Sequence, residues 1–436
     1  MRAKDIWRLR ANRIIRSVLF NCMNHFSADA QKAVRRRNLA RIAAVAMLLL
    51  SGLAAHPGFY ASSPASFSAR EQKTAPSARF AYGGNAAEVP AEFVENLIFV
   101  PVVINRSQPS MFALDSTAAA TSVSRVRATE IGLSDLKNVD LGLAGVDMPF
   151  SDLPFAERPN FSSEVGRPYQ GVLGADFFSR VVVEVDYARQ TMRLYDPSAY
   201  KYSGKGTTFA LQFDGTVPLI GVKFTMPGQK NREEDFVVDT ALDASLLVSE
   251  RFAESHHIFT GHIRTANASN PEIRDGATLA LGRLTDFQIG RFQVRNAIAT
   301  FVPQDTHTGS AHGGVMGGGL LRRFTVVFDY AHRQLILDPN THFEDYEQED
   351  KSGIALVALG PGLHTFEVIA VQPGTPGAEA RVQKGDVIAG IDDEAAADLT
   401  LASIRSLFRQ TGHKYKLLIQ RNGQTVQITV QMRRLL

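Results

Sequence analysis

Phe112-Ala113-Leu114-Asp115-Ser116-Thr117-Ala118 and Phe236-Val237-Val238-Asp239-Thr240-Ala241-Leu242 are two versions of one seven-residue phrase. In each, apolar strand-forming residues deliver one carboxylate and then a hydroxyl residue to the mouth of a turn. That is how a chain exposes an acid at the end of a buried strand. Two such acids in one chain suggest a dyad.

A second repeat follows the first. Gly171-Val172-Leu173-Gly174, with Val181-Val182-Val183-Glu184-Val185-Asp186-Tyr187-Ala188 after it, recurs as Gly314-Val315-Met316-Gly317, with Phe324-Thr325-Val326-Val327-Phe328-Asp329-Tyr330-Ala331 after it. Both copies run into an apolar strand that ends in Asp-Pro, at Asp196-Pro197 and Asp338-Pro339. An order this long, found twice, means a duplicated unit.

With both repeats in view, the chain resembles the bacterial retropepsin-like aspartic proteases in single-chain, two-lobed form with a C-terminal PDZ domain. The resemblance covers roughly residues 89 to 436. It implies a mainly β fold, with two pseudo-symmetric retropepsin-like β-barrel lobes over 89–203 and 204–343. An acidic linker over 344–352, expected to be solvated, and a PDZ domain over 353–436 complete it. Asp115 and Asp239 would be catalytic, and the hydroxyls of Ser116 and Thr240 would tie the two turns together across a pseudo-twofold axis. The chain departs from the family at the third turn position, where Thr117 and Ala241 stand in place of glycine. Glycine there permits a positive φ or a close backbone approach, which a β-branched residue tolerates poorly. Ala118 and Leu242 bring no further hydroxyl, so fewer hydrogen bonds to the carboxylates and a less acid pH optimum are expected.

The chemistry that the dyad implies is hydrolysis of a peptide bond. Two carboxylates within a few ångström cannot both ionise at neutral pH, so the pair shares a proton. The ionised member takes a proton from a water that attacks the carbonyl, while its partner donates to the carbonyl oxygen. No cofactor or metal is called for. The alternative is an inactive lobe pair kept as a peptide-binding or scaffolding module.

A hairpin over Val139–Phe150 and a segment around Gly282–Gly290 are the two places where flaps over the site are expected, an ordinary surface hairpin being the bland alternative for the first. In the C-terminal region, Phe366–Val371 reads as a strand and Lys384-Gly385-Asp386-Val387-Ile388 as the turn most typical of a PDZ domain. By resemblance, Gly353, Ile354, Ala355 and Leu356 form the loop whose amides receive a peptide carboxylate, the tail adding as a strand.

The 436 residues suit about three domains of ordinary size, and the net charge of +3 is misleading. Residues 1–41 hold 11 Lys/Arg and 2 Asp/Glu, a net +9, which leaves the rest of the chain acidic by six. No nucleic-acid surface is implied. Cys22 and Trp7, each the only residue of its type, also lie in this basic leader. Arg35-Arg36-Arg37-Asn38-Leu39-Ala40-Arg41 precedes the apolar run 42–55, too short for the roughly 20 residues of a membrane span. Residues 1–55 therefore read as a basic leader with a signal peptide or an uncleaved anchor. Export to the periplasm or beyond is expected, with the anchor as the one route to a membrane. Arg36-Arg37-Asn38-Leu39 loosely resembles a twin-arginine signal, and Met23 is a candidate start. Residues 56–88, rich in Ser, Ala, Pro and Gly, read as a disordered linker.

Other chemistries have weaker support. His256, His257 and His262 have no implied ligand geometry and read as surface histidines. The glycines at 313–314 and 317–319 lack the Lys-Ser/Thr of a phosphate loop, and no Gly-x-Ser-x-Gly elbow is present.

Overall fold

The computed structural model describes residues 77–156, 158, 160–224, 232–255, 265–269, 278–284, 287–302 and 312–436. The leader, most of the expected linker, and His256, His257 and His262 lie outside the described residues. The described chain is mainly β.

The first lobe is built on β1 (Leu97–Ile104) and β2 (Ser110–Leu114), which pair antiparallel. Their runs of Val, Ile, Leu and Phe suit strands with both faces covered, and Ile98, Val100, Phe112 and Leu114 are fully buried. Burying one such side chain contributes roughly 1.5–3 kcal/mol. Helix α1 (Phe161–Val165) leads to β3 (Gly171–Leu173), which lies parallel to β2 with Phe112, Ala113 and Leu114 opposite Gly171, Val172 and Leu173. β4 (Val182–Asp186) then leaves the lobe.

The second lobe repeats this plan. β5 (Val217–Phe224) pairs antiparallel with β6 (Arg232–Val238), and β7 (Gly314–Met316) lies parallel to β6 with Phe236 opposite Gly314. The first glycine of each Gly-x-x-Gly is required by close approach. A Cβ on Gly171 would press into the Phe112 ring and stand 2.6 Å from the Ser122 carbonyl oxygen, and one on Gly314 would stand 2.9 Å from the Phe236 ring. Only glycine lets the third strand lie this close beside the strand that carries the acid.

β8 (Phe324–Asp329) pairs antiparallel with β4, so the two lobes share one six-stranded sheet. One face of this sheet, with Val183, Val185, Val326 and Phe328, joins a core continuous through both lobes. The opposite face, with Val182, Val327 and Ile336, carries Tyr195, Tyr200 and Tyr202. Asp186 and Asp329 close the turns after these strands, each accepting a backbone amide three residues on, from Arg189 and His332.

The C-terminal region has a core of its own around Phe366, Leu401, Ile404, Phe408 and Leu417. β9 (Ile354–Leu359) forms the edge of its six-stranded sheet, and α2 (Leu401–Phe408) starts in a capping box between Thr400 and Ser403.

Three expectations need correction. The disordered linker does not extend to 88. Arg79–Phe80 pairs with Val146 and Asp147, and Ala86–Val89 forms an edge of the shared sheet against Met192–Tyr195. Small alanines hid that strand from a reading by hydrophobic alternation. The acidic run is only partly solvated, with Glu344 exposed and its later acids drawn inward. Glu349 is 5% exposed and ion-paired to Arg283 at 2.9 Å, while the Glu347 carboxylate accepts from Ser245 Oγ and the Ile298 amide. Lys351, fully buried, donates from Nζ to Gln348 and to the carbonyls of Glu349 and Arg409. The end of the run therefore forms a buried seam against the second lobe, with Glu349 matched to an arginine far away in sequence. Finally, around Gly282–Gly290, where a second flap is expected, residues 282–284 and 287–289 belong to two strands, Thr278–Leu284 and Phe287–Ile289, that pair with different neighbours.

Candidate active site

The two acid turns meet through four hydrogen bonds. The Ser116 amide donates to Thr240 Oγ1 at 3.0 Å, and the Thr240 amide donates to Ser116 Oγ at 3.1 Å. Each hydroxyl then donates across the axis to the last strand carbonyl of the other lobe, Ser116 to Val238 and Thr240 to Leu114, both at 2.7 Å. Ser116 and Thr240 are both fully buried. Asp115 and Asp239, each one residue earlier, therefore start adjacent turns whose spacing is set by cross-lobe bonds.

Matching backbone bonds fix the acids to their own lobes. The Asp115 amide donates to Leu173 and the Asp239 amide to Met316, so each turn hangs from the strand beside it. One carboxylate oxygen of each acid faces back into its turn. Asp115 Oδ1 accepts from the Thr117 amide, the Thr117 hydroxyl and the Ala118 amide at 2.7–2.9 Å. Asp239 Oδ1 accepts from the Ala241 amide at 2.8 Å.

The substitutions at the glycine positions are thereby explained. Neither Thr117 nor Ala241 has positive φ, so the backbone asks nothing of them that a side chain forbids. Thr117 adds a hydroxyl donor to Asp115, and the expectation of fewer hydrogen bonds does not hold at that acid.

Four residues around the acids were not singled out by sequence reasoning. Tyr330, from the Asp-Tyr-Ala of the second lobe, crosses to the first and donates its hydroxyl to the Ser116 carbonyl at 3.1 Å. Burial raises its phenol well above the usual range, and the Asp115 and Asp239 carboxylates push it further, which puts this ring within electrostatic reach of both acids. Tyr187, its counterpart, is buried and raised in the same way by burial and then by Asp239. The tyrosines were visible as a repeat, but spacing gave no sign that Tyr330 backs the opposite turn.

Arg158 and Tyr169 come from the segment around α1. The Arg158 guanidinium stands 3.3 Å from Asp115 Oδ2, the oxygen that points away from the turn, and 4.3 Å over the Phe161 ring. Burial lifts the Tyr169 phenol to about 12; Arg158 pulls it down, and Asp115 pushes it up. Tyr169 therefore keeps its proton beside the acid. The repeats legible in the sequence do not include this segment, so they could not reveal it.

The hairpin expected as a flap forms from Lys137–Leu143 and Val146–Asp152. Its inward residues Leu141, Leu143, Met148 and Phe150 pack into the main core, and its tip is held where the Ala81 amide donates to Gly145. The side chain that reaches Asp115 is instead Arg158. Among the described residues no cluster of three His, Cys, Asp or Glu could hold a metal, and no helix is long and apolar enough to cross a membrane.

In the C-terminal domain, the amides expected to receive a peptide carboxylate are already engaged. Gly353 donates to Asp350 Oδ1 at 2.7 Å and Ile354 donates to Ser352 Oγ at 3.0 Å. Ile354, Ala355 and Leu356 belong to β9 and pair with the strand Thr365–Val371.

Comparison with known proteins assigns one region firmly. Residues 348–432 match the family model described as "PDZ domain", so the C-terminal domain is a PDZ domain, a class that binds peptides or mediates protein interaction. No curated protein matches the chain. Among solved structures, the chain is similar to an aspartic proteinase from Irpex lacteus, at 13% identity and a TM-score of 0.41, over 60% of this chain and 98% of that one.

Proposed function

We propose that the chain is an aspartic-type endopeptidase in which Asp115 and Asp239 activate one shared water, with the PDZ domain engaging polypeptide. The observation that carries this reading is the reciprocal bonding of Ser116 and Thr240, which holds the two acids at adjacent turn starts. Each acid has one oxygen held by its own turn, and proton exchange with water or substrate falls to the other, which at Asp115 is the oxygen that Arg158 faces. The ionised carboxylate takes a proton from water as the oxygen attacks the carbonyl carbon, and the protonated partner donates to the carbonyl oxygen. Ser116, Thr117, Thr240 and Ala241 act as positioning residues for the pair.

A casein-type unfolded protein incubated at mildly acid pH provides the test. Wild type should cleave it, while Asp115→Asn and Asp239→Asn should each lose activity with an unchanged circular dichroism spectrum. Cleavage that persists in both variants would remove the dyad from the mechanism.

A second reading is favoured by the ion pair between Arg158 and the outer oxygen of Asp115. A cation fixed there suits a chain that keeps its two-lobed fold for binding without hydrolysis. Peptide binding by wild type with no cleavage at any pH would decide for it. Export is proposed on the leader alone, from its basic stretch 35–41 and the apolar run 42–55.

A further inference from the structure

β9 is a sheet edge, and an exposed edge beside a helix is where a domain of this kind takes a partner by strand addition. In this chain that place is filled from within. Helix α1 of the first lobe packs along β9, and Arg405 on α2 ties the two together. Its guanidinium donates to the Glu164 carbonyl at 2.7 Å, approaches the Leu356 carbonyl of β9 at 3.5 Å and pairs with Glu95 at 3.0 Å. Arg409, one turn later on the same side, pairs with the other Glu95 oxygen at 2.9 Å. Glu95 is nearly buried, so these are strong contacts. Gly166 ends α1 at φ +73°, close enough that a Cβ there would stand 2.6 Å from Leu401 Cβ.

The same short helix reaches the acids. Phe161 and Val165 pack with Leu97 and Phe99 of β1 and with Ala113, two residues before Asp115 on the strand that carries it. The Phe161 ring supports the Arg158 guanidinium and meets Tyr169 edge-on at 5.1 Å. The groove of the PDZ domain and the outer oxygen of Asp115 are thus two ends of one segment, 158–169.

We propose that α1 is the resident occupant of the PDZ groove, that an internal stretch of unfolded polypeptide competes for that groove, and that displacement draws Arg158 away from Asp115. An internal stretch is specified, and not a chain end, because the amides that would bind a terminal carboxylate are held by Asp350 and Ser352. The Asp350 carboxylate at that point would, when ionised, also repel a second negative charge. The resident segment itself offers a backbone carbonyl to Arg405, which is what any internal peptide can offer. The link to Asp115 rests on the proposed peptidase reading, whereas the occupancy of the groove does not.

The test uses the full chain carrying Asp239→Asn, so that no cleavage intervenes, with Glu95→Gln and Gly166→Val made separately on the lobe side of the contact. Amide hydrogen exchange over residues 160–168 should accelerate at least about tenfold in both variants, with the strand Val387–Ile391 unchanged. A pool of random dodecapeptides, prepared as free acids and as C-terminal amides, should bind both variants more tightly than the parent. The acid and amide forms should bind alike. Unchanged exchange over 160–168, or binding that requires the free carboxylate, would overturn the inference.

An activity arm is read separately. With Asp239 restored, Arg158→Gln and Glu95→Gln should each lower KM for an unfolded protein, by about 1.5- to 5-fold for a partly exposed ion pair, and Glu95→Gln, which bonds to neither acid, should leave kcat little changed. A raised KM in both would overturn the link to Asp115. Absence of cleavage in every form would instead count against the peptidase reading, and the exchange result would still judge the groove.

Discussion

Replacing Thr240 by Val keeps the shape of the side chain and removes only its hydroxyl. That hydroxyl accepts from the Ser116 amide and donates to the Leu114 carbonyl, and all three groups lie where water does not reach. The substitution therefore deletes two hydrogen bonds and leaves one amide and one carbonyl unsatisfied. At about 1–3 kcal/mol for each of the two stranded buried groups, the expected loss is about 2–6 kcal/mol. Thr240→Ser, which keeps the hydroxyl and gives up one methyl, should lose about 1 kcal/mol. Ser116→Ala removes the reciprocal pair and should cost about as much as Thr240→Val. In the double variant the turns have already parted, so the second loss should fall short of additivity by about 0.5–3 kcal/mol. Urea unfolding followed by circular dichroism measures all four, and the comparison of wild type, singles and double isolates the coupling. If Thr240→Val costs under about 0.5 kcal/mol, or the two losses simply add, the hydroxyls do not join the lobes and the spacing of the acids has another origin.

Other perturbations address the neighbouring groups. Tyr330→Phe removes the donor to the Ser116 carbonyl and should cost about 1 kcal/mol in the same unfolding assay, and cleavage should fall with it because the Ser116 turn loosens. Thr117→Gly should destabilise by about 1–2 kcal/mol, since it gives up the hydroxyl bond to Asp115 and adds chain entropy where no positive φ needs it. A gain in stability would show that Thr117 is strained. Glu347→Gln tests the buried seam by its pH dependence. Burial raises the Glu347 carboxyl, with Ser245, Ile298 and the nearby arginines opposing the shift. A raised carboxyl contributes stability that is complete below its unfolded value, about 4.3, and is lost as pH rises through the folded value. The variant cannot ionise, so its melting temperature relative to wild type should be higher at pH 8 than at pH 4. Each kcal/mol should appear as about 2–4 °C. A difference of the opposite sign would mean that the ionised form is the one the seam holds.

What could be read from the sequence was what occurs twice. The acid turns, the Gly-x-x-Gly strands and the Asp-Tyr-Ala turns each have a local physical requirement: a carboxylate at a strand end, a missing Cβ beside Phe112 and Phe236, and an aspartate closing a turn. Because each requirement is met by residues close in sequence, the pattern survives in both copies and announces the duplication. What could not be read depends on partners distant in the chain. Nothing about Glu347 or Glu349 marks them as buried until Ser245, Ile298 and Arg283 are brought to them by the folding of the second lobe. Nor does Arg158 look unlike any other exposed arginine, since its position depends on Phe161 and on a helix that packs against another domain. The third turn position shows the limit from the other side. A rule drawn from glycine treated Thr117 as a defect, whereas the backbone there is ordinary and the side chain returns its hydroxyl to the acid. A motif residue defined by the freedom it allows can be replaced by one defined by the bond it makes, and only the local φ and the distance to Asp115 distinguish the two cases.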